Sequence, residues 1–246
     1  MKLNPSLCFP ALGLYLLSTM VSVAAPAVDQ KALAVVTSMS DKLKTAKTVK
    51  ATGTRRLDPE LIAGGVVKES VSFDLTLVRP GKICVKTTDA KGQRRLISDG
   101  KHLTLTDDTE KFYATVDAKG KSVDDLIAAI QGKLGFRPVL AEFLGSDPAK
   151  VLLDGVTAGS LKGEEVVEGV KCTRLAFTQP DAKWDLWVSA SDGLPRKVVV
   201  TYTGIKGKPK ATALITHWEL GAKVPRKTFA FKPAPDYQKI EIIAAR

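Results

Sequence analysis

Residues 67–77 read V-K-E-S-V-S-F-D-L-T-L, and this stretch decides the fold. Val67, Val71, Phe73, Leu75 and Leu77 fall on one side of an extended chain, with Lys68, Ser70, Ser72, Asp74 and Thr76 on the other. A period of two over eleven residues predicts a strand with one dry and one wet face, as antiparallel sheets have. Only Glu69 interrupts the apolar side.

The same pattern extends in both directions. Arg79, Pro80 and Gly81 turn the chain into a strand carrying Ile83 and Val85. Asp99 and Gly100 turn it before Leu103 and Leu105, which alternate with His102, Thr104 and Thr106, and Phe112, Ala114 and Val116 continue the meander. Strand patterns return around Val166, Leu175 and Phe177, Trp184 to Val188, Val198 to Tyr202, Ala211 to Leu220 and Thr228 to Phe231. Pro225, Pro233 and Pro235 are confined to loops or edges.

Helical spacing occurs in two places. Asp29 can cap a helix with Ala32, Val35, Val36, Met39 and Leu43 along one side. Ser122 and Asp125 begin a second helix bearing Leu126, Ile127, Ile130 and Leu134, which Gly135 stops. Pro138 can open a short helix ending near Gly145, and Asp147 with Pro148 another that stops at Gly155. The fold class expected is mainly β with helices (α+β): a long antiparallel sheet with one apolar face, which must either close into a barrel or curl around the amphipathic helices that fill its concave side.

The amino terminus has the order of an export signal: Lys2, an apolar run from Leu12 to Val21, then Ser22, Ala24 and Ala25. Cleavage after Ala24 leaves residues 25–246 as one domain, and loss of Lys2 lowers the net charge from +11 to +10. The apolar run is too short for a ~20-residue membrane span. A periplasmic location follows, and export argues against a nucleic-acid partner despite the basic charge. Lys42, Lys44 and Lys47, Arg55 and Arg56, Arg94 and Arg95, and Lys206 to Lys210 are scattered, as solvated faces are.

Motifs for chemistry are wanting. His102 and His217 stand in strand patterns without metal-ligand spacing, and the acid pairs Asp107–Asp108 and Glu164–Glu165 point to opposite faces of their strands. Gly120, Lys121 and Ser122 resemble the end of a phosphate loop, but Thr115 stands where its first glycine belongs. No catalytic residues, metal or cofactor are expected. Cys84 and Cys172 are expected to be free thiols, because a meander holds their strands about five positions apart, roughly 24 Å, and a disulfide needs Cα atoms within ~7 Å.

Two segments resemble periplasmic lipoprotein carriers of the LolA/LolB-like superfamily: L-T-L-V-R-P-G-K-I at 75–83 and I-S-D-G-K-H-L-T-L-T-D at 97–107. W-D-L-W-V at 184–188, G-L-P-R-K at 193–197 and F-A-F-K-P at 229–233 resemble an uncharacterised group of predicted periplasmic proteins in that superfamily. Cys84 stands where the carriers commonly have an arginine or another long residue. The resemblance implies a curled antiparallel sheet forming an unclosed β-barrel, whose concave apolar face is covered by helices and receives acyl chains.

The expected function is a non-catalytic periplasmic binding or carrier protein for an apolar ligand, lipid or lipoprotein acyl chains, with transient contact to a membrane surface. Its candidate contacts are Phe73, Leu75, Leu77, Val85, Leu103 and Leu105, with Trp184 and Leu186 from a later strand. If space remains beside them, Leu75→Trp should lower binding more than stability. The alternative is an envelope sensor or interaction module regulating a membrane-protein partner.

Overall fold

The computed structural model describes residues 28–62 and 69–241, so the expected leader, cleavage site and Val67 lie outside the described residues. Helix α1 (Gln30–Thr45) begins where the Asp29 carboxylate accepts from the Lys31 backbone N–H, and it buries Ala32, Val36, Met39 and Leu43. Strands β1 (Thr48–Leu57), β2 (Glu69–Val78), β3 (Lys82–Asp89), β4 (Gly92–Ser98), β5 (His102–Asp107) and β6 (Phe112–Asp117) form the first meander. Helices α2 (Val123–Leu134), α3 (Ala141–Leu144) and α4 (Pro148–Leu153) follow. The second meander is β7 (Ala158–Val167), β8 (Val170–Gln179), β9 (Ala182–Ser189), β10 (Pro195–Tyr202) and β11 (Lys210–Leu220), and β12 (Gln238–Lys239) ends the series.

Among the described residues twelve strands make one sheet in the order β12-β6-β5-β4-β3-β2-β1-β11-β10-β9-β8-β7. Pairing of β1 with β11 fuses the two meanders, and the outer strands β12 and β7 do not meet, so the barrel is open. Among the described residues the strands pair antiparallel except β12 on β6, which makes the sheet mixed, and Val28 adds an isolated parallel bridge to Gly159 of β7. At the fusion seam β1 bulges between Thr52 and Gly53. A Cβ on Gly53 would stand 2.0 Å from the Leu214 carbonyl oxygen and 2.8 Å from the Phe73 ring, so this close approach requires glycine.

Local chemistry explains the helices over the concave face. Ser122 Oγ accepts from Asp125 N–H to start α2, and Gly135 ends it at φ 76°. Asp147 accepts from Lys150 N–H to start α4, while Pro138 only turns the chain towards α3. Arg79, from the turn after β2, donates to the carbonyls of Leu43, Ala46 and Gly145 at 3.1–3.4 Å. It satisfies carbonyls left open at the end of α1 and ties that end and the α3–α4 turn to the sheet. Burial pushes the Arg79 guanidinium below its usual pKa, with Asp124 opposing the shift. The arginine of the R-P-G segment is therefore the tie that fixes the helical cover.

The convex face departs from the sequence expectation. Thr228 to Phe231 is not a strand: Thr228 N–H bonds Pro225 O, Ala230 N–H bonds Lys227 O, and residues 226–229 form a 3-10 turn. Pro225 fixes the entry to that turn, and the segment crosses the sheet instead of pairing with it. Phe231 packs against Tyr113 and Tyr237, with ring centroids 5.3 and 5.7 Å away, and Arg95 lies over its ring at 5.5 Å. Tyr237 Oη donates to Asp108 at 2.9 Å. Thr76 and Thr104, expected to face water, are buried.

Asp108 anchors this C-terminal strap. Burial alone would raise its pKa, but hydrogen bonds from Arg95, Thr106 and Tyr237 and the Arg95 charge outweigh it and hold the carboxyl below the usual range. A depressed folded pKa contributes stability that is present above the unfolded value of about 4 and is lost as pH falls through the folded value. Protection of the Gln238 and Ile240 amides against hydrogen exchange is expected to fall as the pH is lowered below about 4. In Asp108→Asn that protection should be lower at neutral pH and nearly flat with pH; equal protection in both proteins would contradict this anchoring.

Cys84 on β3 and Cys172 on β8 are free and six strand positions apart in the sheet order, one more than expected. Burial raises both thiol pKa values, so neither is an activated thiolate. Thiol labelling of denatured, unreduced mature protein should count two groups; a count of zero would mean a bridge.

Candidate functional site

The concave face carries one continuous core. Phe73, Leu75, Leu77, Val85, Leu103, Trp184 and Leu186 are all buried in it, and Leu105 packs against it half-buried. The register explains the grouping: Leu75 stands opposite Val85 and Ala51, Val85 opposite Leu96, and Leu96 opposite Leu105. On the second meander Trp184 faces Phe177 and Val200 across its neighbours, and its ring stacks on Phe177 at 4.2 Å. Trp187, three residues on, lies on the opposite face between Arg174 and Lys197 and donates to Glu165 at 2.7 Å.

Packing is uneven across this face. α1 covers the part around Leu43, Leu75 and Leu77, which are 0 % exposed. Farther toward the end of the sheet where β1 finishes and β11 begins, the cover is thinner and a hollow of about 380 Å³ remains. Its floor is Trp184, Val198, Val200 and Ala213, and its roof is Val139, Leu140, Phe143 and Leu152 from the helical insertion. A second hollow of about 190 Å³ lies against Val85, Leu96 and Leu105, and both share Arg55, Arg137, Pro138 and Val139. Of the eight residues expected from the sequence, Trp184 lines the larger hollow, and Val85 and Leu105 line the smaller. Phe73, Leu75, Leu77, Leu103 and Leu186 line neither and form the packed floor under the helices.

Polar groups cluster at the mouth. Arg55 Nη2 donates to Glu69 at 2.7 Å, which accounts for the one break in the apolar alternation of β2. Arg137 pairs with Glu142 at 3.2 Å, and Arg94 with Asp107 and Asp89 at 3.1 and 3.3 Å. Burial pushes the Tyr202 hydroxyl above its usual pKa, Glu142 adds to the shift and Arg137 opposes it, so the ring stays neutral. An apolar hollow with a few charged groups at its mouth is suited to hold a small amphiphile. Among the described residues, no group of three or more His, Cys, Asp or Glu side chains is placed to hold a metal ion.

Val198, Val200, Ala213, Val139 and Arg55 were not among the residues expected from sequence. The alternation of Val198, Val200 and Tyr202 was legible, but their place opposite Ala213 and Ala211 depends on pairings between separate strands, which no local pattern specifies.

Among the described residues, twelve strands in an unclosed mixed sheet, with four α-helices over an apolar concavity, define an open β-barrel of the α+β class. The chain belongs to the family described as "Predicted periplasmic protein (DUF2092)", whose model matches residues 32–243, and it is a periplasmic protein. Comparison with curated protein sequences gives no match. Among solved structures the chain is similar to the Mycobacterium tuberculosis lipoprotein LppX, at 15% identity and TM-score 0.48 over 80% of this chain and 98% of that one. It is similar to the LolA superfamily protein NE2245 from Nitrosomonas europaea, at 12% identity and TM-score 0.39 over 81% and 97%. The Pseudomonas aeruginosa MucA/MucB complex is a third, at 14% identity and TM-score 0.46 over 86% of this chain and 64% of that one.

Proposed function

We propose that this protein is a non-catalytic periplasmic binding or carrier protein that shelters acyl chains or a similar apolar ligand, exported through a leader of residues 1–24 and working as a single domain. The observation that supports it best is the 380 Å³ apolar hollow between Trp184, Val200 and Ala213 below and Val139 and Leu152 above. A packed core leaves few voids larger than a water molecule, so a hollow of this size reaching solvent is better read as a binding space than as a packing defect. Val85, Leu105 and Trp184 are the proposed contacts retained from the sequence reading, and Phe73, Leu75, Leu77, Leu103 and Leu186 would support them from beneath. Titration with a fluorescent fatty-acid probe tests this: saturable binding is expected, and a protein that never binds the probe would remove the carrier reading.

The alternative, an envelope sensor or interaction module, is supported by the edge strand β7. It ends the sheet, with Val166 71% and Leu161 38% exposed, and an edge strand is a ready template for a partner's extended segment. A pull-down from envelope extract that recovers one defined protein and no lipid would favour this reading.

A further inference from the structure

Among the described residues Arg55 and Arg196 carry buried guanidinium nitrogens without a hydrogen-bond partner, and of the two Arg55 stands at the hollows. A guanidinium carries five N–H donors. In Arg55 one nitrogen reaches Glu69, while Nε is buried with no hydrogen-bond partner. A buried donor left unmatched is costly, and a bound oxygen would relieve that cost. The side chain is placed to meet one, because Arg55 lines both hollows and is 28% exposed, so that it stands where the apolar walls reach solvent. Arg137, 45% exposed, stands in the same two walls. It is engaged by Glu142 and Arg94 by Asp89 and Asp107; Arg55 is engaged by Glu69 and is, of the three, the one with a buried donor left unmatched.

We propose that Arg55 binds the anionic headgroup of a single-chain amphiphile whose tail lies over Trp184 and Val200, so that the ligand class is a fatty-acid-like carboxylate and not a neutral lipid. This rests on the reading of the hollow as a ligand site. One chain fits better than two, because 380 Å³ is near the lower end of the ~300–1,000 Å³ usual for ligand pockets. The carboxylate accepts from the Arg55 guanidinium in a charge-assisted hydrogen bond, about twice as strong as one to a neutral hydroxyl.

Calorimetric titration with dodecanoate and dodecanol, which share a tail and differ in the head, tests this. Wild type is expected to bind the acid about tenfold or more tightly than the alcohol. Arg55→Gln should lose most of that preference and keep the alcohol affinity, which also shows that the variant is folded. Equal affinity for acid and alcohol in wild type, or an unchanged preference in folded Arg55→Gln, would overturn the headgroup assignment and leave the cavity reading standing. Failure of wild type to bind either compound would remove the cavity reading and this assignment with it. Should Arg55→Gln not fold, the wild-type preference alone decides.

Discussion

Val200→Trp is expected to reduce binding of a fluorescent fatty-acid probe at least tenfold while leaving the melting temperature nearly unchanged. Val200 is half-buried on β10, opposite Trp184 and Ala211, and it forms part of the floor of the 380 Å³ hollow. Added volume in a packed core forces side chains off their rotamers at about 1–3 kcal/mol. In a hollow the same volume meets no atoms and instead occupies the space a ligand would use. Binding preserved in a folded Val200→Trp protein would mean that the ligand sits elsewhere. The sequence alone pointed this experiment at Leu75. There the added ring would meet packed atoms, since Leu75 is 0 % exposed and lines neither hollow.

Leu75→Ala is expected to cost ~2–5 kcal/mol of stability. Leu75 lies in the middle of β2, between Ala51 and Val85, in the same buried cluster as the apolar residues of α1. Truncation removes contacts and leaves a void that a twelve-stranded sheet cannot easily close. Probe affinity of the folded fraction should stay within about threefold of wild type, because the void opens away from the mouth. Chemical denaturation measures the first quantity and titration below the transition the second. A cost below about 1 kcal/mol would show that this region is loosely packed and that the binding space extends to Leu75.

The contrast between Leu75 and Val200 shows what the sequence could and could not convey. Alternation from Glu69 to Leu77 put Phe73, Leu75 and Leu77 on the dry face, and the caps at Asp29, Ser122 and Gly135 placed the helices, because those signals are local. Which part of the dry face stays uncovered depends on where α1 and the insertion lie over the sheet. That placement is set by contacts such as Arg79 to Leu43 and Gly145, or Ala149 N–H to Ser40 Oγ at 3.0 Å, across 36, 66 and 109 residues of sequence. The strap over the convex face was missed for a similar reason. F-A-F-K-P at 229–233 has strand-like composition, and only its contacts with Tyr113 and Arg95 show that it crosses the sheet. Glu69, by contrast, was a legible break in the alternation. Its meaning became clear when Arg55 proved to be its partner at the mouth of the hollow.

Native mass spectrometry of the protein purified from its own periplasm tests the central claim most directly. Wild type is expected to carry the mass of one amphiphile, and Val200→Trp purified the same way to lose that mass. Wild type that emerges wholly ligand-free, and takes up no fatty-acid probe when it is added, would contradict the carrier reading.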